Sequence, residues 1–103
     1  MAAPTTTDRR IEIGLESLAL TLGDLPGVAQ EWQGMSDGER ASWSLDWDHL
    51  MATYLRLIDR RDRKGMLTLD QHERYRELLG ALQEALPIIH RLNLYPPPVQ
   101  LES

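Results

Sequence analysis

Two stretches with the same pattern, Ser36-Asp37-Gly38-Glu39 and Thr68-Leu69-Asp70-Gln71, constrain this chain more than anything else in it. Each places a Ser or Thr three residues before a Glu or Gln. The hydroxyl can accept the N–H of the third helical residue while the longer side chain returns to the N–H of the cap, so two donors that a helix start leaves unpaired are satisfied together. Each stretch therefore predicts a helix start. The helix opening at Ser36 is expected to run to about Lys64, because Arg60, Arg61, Arg63 and Lys64 suit the negative end of the macrodipole and Gly65 ends the helix. Only about four residues separate that stop from the next start, too few for a parallel return, so the two helices are predicted to form a long antiparallel hairpin. The second arm carries Tyr75, Leu78, Leu79, Leu82, Leu86, Ile89 and Leu92 on one face. Pro87 removes a hydrogen bond inside that pattern and predicts a kink or break near Leu86.

A third main helix precedes the hairpin. Ile11, Leu15, Leu18, Leu22 and Leu25 recur at steps of four and three, with Thr7 or Asp8 as the cap after a flexible arm of residues 1–7. Gly14 counts against this helix by about 1 kcal/mol relative to Ala. Gly23, Pro26 and Gly27 predict a break, followed by a short extra helix near 26–34 built on Val28 and Trp32. At the other end Tyr95-Pro96-Pro97-Pro98-Val99 predicts an extended polyproline tail over 95–103. The expected fold is all-α: a small bundle of three main helices in one domain, 1–103. With 103 residues, 42% apolar and 26% charged, the chain has enough bulk for one hydrophobic core.

Composition removes several function classes. The absence of Cys excludes disulfides, thiolate catalysis, iron–sulfur clusters and cysteine zinc sites. A net charge of -5 argues against a general nucleic-acid backbone binder, which needs a basic surface. The opening MAAPTTTDRR lacks the apolar segment of a signal peptide, and no run of about 18 apolar residues occurs. The expectation is a cytoplasmic protein without membrane contact. Arg in place of Lys at nearly every basic position suggests a GC-rich, bacterial coding sequence. Phosphate-binding Gly loops, nucleophile elbows, HExxH and calcium loops are all missing, so an enzyme is the less favoured reading and no cofactor is expected.

Three groups of residues remain as candidate sites. The segment Trp43-Ser44-Leu45-Asp46-Trp47-Asp48-His49 looks dense, but on a helix Trp43 and Trp47 continue through Leu50, Tyr54 and Leu57 as a core stripe. Asp46 and His49 share the opposite side at the i, i+3 spacing of two metal ligands. In a hairpin turning near Gly65, His49, His72 and His90 fall about 10 to 27 Å apart along the axes, so they cannot share an ion. A solvated Asp46–His49 hydrogen bond is the expectation, with no metal site. Arg56, Arg60 and Arg63 line one face and form a candidate anion site, against which stands ordinary ion pairing with Glu73 and Glu77 on the facing helix.

Apolar residues left over after the core is assigned are the third group. Ile13 and Leu20 lie opposite the first helix's buried seam, and Ala41, Leu45, Ala52 and Leu55 form a weaker second stripe on the next. A middle helix flanked by the other two would use both its faces but leave those of the first helix free. Ile13, Leu20, Leu45 and Leu55, with Tyr95 and Pro97 of the tail, are the candidate partner interface, and a homodimer or a helical protein partner is expected. The tail either offers a rigid polyproline ligand or folds back over Trp32 or Trp43 to close the bundle, the favoured use. The leading expectation is a non-catalytic helical interaction module: a small regulator, adaptor or antitoxin-like protein. The alternatives are a small-molecule- or anion-binding helical bundle, a small enzyme among them, and a helix-turn-helix-type DNA-binding regulator.

Overall fold

Both capping boxes form. Glu39 N donates to Ser36 Oγ at 3.1 Å and Ser36 N to Glu39 Oε1 at 3.0 Å, and the Thr68–Gln71 pair repeats these bonds at 3.1 and 3.0 Å. The computed structural model describes residues 6–101. Its helices are α1 (Thr6–Glu31), α2 (Asp37–His49), α3 (Arg56–Arg63) and α4 (Leu69–Arg91), with a π-helical segment Leu50–Leu55 joining α2 to α3 into one rod. Among the described residues there is no strand. The three main helices are thus α1, the α2–α3 rod and α4.

The hairpin of rod and α4 ends its first arm in a Schellman motif. Gly65 adopts φ 67°, with Met66 N donating to Arg61 O and Gly65 N to Asp62 O, both at 2.9 Å. The same device closes α4, with Asn93 at φ 57° in the glycine role: Leu94 N donates to Ile89 O at 2.9 Å and Asn93 N to His90 O at 3.1 Å. Leu94 and Ile89 are both buried, supplying the apolar contact that accompanies this turn.

Four local expectations are corrected. Thr6 and Thr7 already belong to α1, whose first turn holds Asp8 against the positive end of the macrodipole; the rest of the expected arm, 1–5, lies outside the described residues. The break at Gly23-Pro26-Gly27 does not occur, and the separate helix near 26–34 is instead the last turns of α1 plus a 3-10 turn, Trp32–Gly34. Pro26 is exposed, so its ring needs no room in the core, and α1 runs through it with Leu22 and Leu25 still buried. Pro87 is likewise exposed, and α4 runs through it unbroken. Lastly, the middle helix is not simply flanked by the other two, because α1 packs directly on both α4 and the π segment.

The π segment was not visible in the periodicity. Trp47, Met51 and Leu55 are all fully buried at successive steps of four. In an α-helix four residues overshoot a turn by about 40°, so such a row would spiral off the core. One wider π turn absorbs the excess and brings Leu55 inward. Gly14 fits the same place: a Cβ there would lie 2.9 Å from Tyr54 Cδ1 and 3.1 Å from Ile58 Cδ1, so the glycine lets α1 approach the rod closely.

The chain after α4 completes the bundle. Trp47 Nε1 donates to Tyr95 O at 2.8 Å, and Val99 and Leu101 pack against the core from the side opposite the α1 contacts. Pro98 lies beside Ala52 and Arg56, and Gln100 beside Tyr75 and Leu79, so the tail runs back along the groove between the rod and α4. Internal packing, the favoured use of the tail, is what the structure shows, through Trp47.

Candidate functional site

The α1–α4 seam holds an open groove of about 560 Å³. Leu15, Leu22 and Leu78 form its apolar floor, and Ala19, Gly23 and Ala81 its small-residue walls. The sequence sets this up by putting small residues on the side of each helix that faces the other near its outer edge. Leu20 is 64% exposed at the rim and Ile13, two turns earlier on α1, is 50% exposed beside a second depression with Thr68 and Gln71. Between the two depressions Arg74 Nη1 donates to Glu12 Oε2 at 2.6 Å, and Gln71 Nε2 donates to Glu12 Oε1 at 3.3 Å. The guanidinium of Arg74 holds the Glu12 carboxyl below its ordinary range, against a smaller opposing push from burial.

The other proposed interface residues do not join this face. Leu45 is 68% exposed on α2 and lines none of these depressions. Leu55 is fully buried, a correction caused by the π turn, which rotates it off the outer stripe. Tyr95 is exposed and Pro97 half-buried in the tail on the far side of the bundle. Leu69 and Met66, exposed at the hairpin end, were missed by the sequence reading; Leu69 directly follows the Thr68 cap, a position whose side chain a helix start turns outward.

Asp46 and His49 are both exposed, and His49 turns to Thr53, whose hydroxyl lies 3.5 Å from Nδ1, and meets the Tyr54 ring in a T-shaped contact. The expected Asp46–His49 bond is replaced by these contacts. Among the described residues no group of three or more His, Asp or Glu side chains is placed to hold a metal ion. Trp47 is buried and Trp43, half-buried, stacks on it at 5.8 Å, so this pair is core as expected.

Arg56, Arg60 and Arg63 do converge, on a depression of about 420 Å³ that they share with Asp59, Ala52 and Pro98. The ion pairing expected with Glu73 and Glu77 is replaced by Arg63 Nε to Asp59 Oδ2 at 2.9 Å within the helix, while Glu77 lines the α1 groove instead. Tyr75 Oη donates to Asp59 Oδ1 at 2.7 Å, and burial first, then this carboxylate, push the phenol far above its ordinary range. At the hairpin end His72 Nδ1 donates to Asp62 Oδ1 at 2.6 Å. No helix among the described residues is long and apolar enough to cross a membrane. Comparison with protein-family models, curated proteins and solved structures gave no match.

Proposed function

We propose that this chain is a non-catalytic helical interaction module, a small regulator or adaptor, that pairs with a second copy of itself through the α1–α4 face. The observation that carries this reading is the groove floored by Leu15, Leu22 and Leu78 with Leu20 standing 64% exposed on its rim. A two-fold interface needs a patch that contains both a ridge and a recess for the partner's ridge. Here Ile13 and Leu20 supply the ridge and the seam supplies the recess on one face. Small walls at Ala19, Gly23 and Ala81 favour a close approach by another helix, and the rim carries both signs of charge in Glu16, Glu77 and Arg74.

Sedimentation equilibrium of the full chain at micromolar to high micromolar concentration tests it. The expected result is a reversible dimer of twice the 11.8 kDa chain mass, converted to monomer by Leu20→Glu. A wild-type monomer across that range rules the pairing out.

A further inference from the structure

We infer that Arg56, Arg60 and Arg63, with Asp59 as the group that positions Arg63, form a binding site for a small doubly charged oxyanion, a phosphoryl group or a dicarboxylate. The depression they line, about 420 Å³, is within the range of small-ligand sites. Both oxygens of Asp59 are engaged, Oδ1 by Tyr75 Oη at 2.7 Å and Oδ2 by Arg63 Nε at 2.9 Å. Tyr75 is fully buried, so this carboxylate is anchored to the core. Bonding through Nε fixes the Arg63 guanidinium at one edge and leaves its terminal nitrogens without a bonded partner among the described residues.

The guanidinium groups of Arg56 and Arg60 have no ion-pair or hydrogen-bond partner among the described residues. They are one turn apart, with Cβ atoms about 6 Å from each other, a separation that two guanidinium forks can bridge to a shared dianion. Asp59 offsets one of the three positive charges, which leaves two, matching the ligand. Asp62, the other carboxylate on this helix, is bonded to His72 and lines the neighbouring depression beside Arg63, not the one the three arginines share. The C-terminal end of α3 disfavours anions by its dipole, but its carbonyls are closed off by the Gly65 turn and the site lies on the helix flank. Pro98 of the tail adds a rigid wall without a donor or charge of its own.

The test titrates inorganic phosphate and, separately, malonate against chloride at fixed ionic strength, which removes non-specific screening. Binding is read by calorimetry and by NMR shifts of the arginine Nε–H signals. Saturable binding that shifts Arg63, and that weakens about tenfold or more in Arg56→Gln/Arg60→Gln, is expected. Both positions are exposed, so an unchanged melting curve checks that this variant is folded. The tighter of the two ions identifies the source of the oxyanion. Asp59→Asn separates positioning from charge: the site becomes more positive yet Arg63 loses its holder, and binding is expected to weaken. A linear, non-saturating response, or equal affinity in the double arginine variant, overturns the site, and tighter binding by Asp59→Asn overturns the role given to Asp59.

Discussion

Tyr75 and Asp59 couple the interior to the surface through one hydrogen bond, and that bond has a measurable pH signature. The phenol is held neutral in the folded protein, so its raised pKa stabilises the fold at all pH values below the ordinary tyrosine range. Above about pH 10 the unfolded chain ionises there while the folded one does not, and stability falls. Tyr75→Phe is expected to cost about 1.5 kcal/mol at neutral pH and to flatten that alkaline loss in urea titrations. Glu12 has the opposite sign. Its lowered pKa gives stability that is present above the ordinary carboxylate range and lost as pH falls through the folded value, so Glu12→Gln is expected to reduce the acid sensitivity of the melting temperature. Gly14 gives a third residue-scale outcome. Ala at Gly23 or Gly80, where nothing lies within 4 Å, is expected to stabilise by about 0.5–1 kcal/mol, whereas Gly14→Ala meets Tyr54 and is expected to destabilise by about 1 kcal/mol or more. Propensity alone ranks these glycines together, which is why the sequence showed Gly14 as a cost and not as a contact.

At the scale of elements, what was legible depended on whether the signal was local. The two capping boxes lie within four residues each, and both formed. The hairpin followed from them and from a short connection, and the Asp59–Tyr75 and Asp62–His72 bonds hold it in register. Pro26 was misread as a break, and of the kink or break expected at Pro87 the break does not occur; both prolines are exposed, and whether a proline ring faces water or a neighbouring helix is a property of the assembled bundle. The π turn answers a packing demand from Trp47, Met51 and Leu55 that no single-helix period expresses. The tail was legible as extended, since three prolines allow little else, and its docking follows from what the groove needs. Removing residues 95–103 uncovers Trp47 Nε1 and the contacts of Val99 and Leu101. With about 1 kcal/mol each for the hydrogen bond and the two partly buried side chains, the loss is about 3 kcal/mol, or roughly 10–20 °C in Tm. An unchanged Tm would mean that the tail does not contribute to the fold.

The whole molecule is elongated, with a radius of gyration of 14.5 Å and extents of 50 × 30 × 18 Å. A chain of this length is about 13 Å when compact, so the shape leaves more surface than the core requires. Which residues occupy that surface was only half legible. The opposition of Ile13 and Leu20 to the seam could be read from α1 alone, but that Leu20 borders a recess while Leu45 stands isolated depends on where α4 lies. The two leucines are nearly equal in exposure, at 64% and 68%, and differ in surroundings, so they form an internal control for pairing through the α1–α4 face. If folded chains associate there, mass action raises the melting temperature with protein concentration. Leu45→Glu is expected to keep that concentration dependence, because Ala41, Ser42 and His49 around it are exposed and offer no recess. Leu20→Glu is expected to abolish it, since a carboxylate at the rim would have to be desolvated against Leu22 and Leu78 of the partner's groove. Melting temperatures that rise with concentration in Leu20→Glu as they do in the wild type would place the contact elsewhere on the molecule.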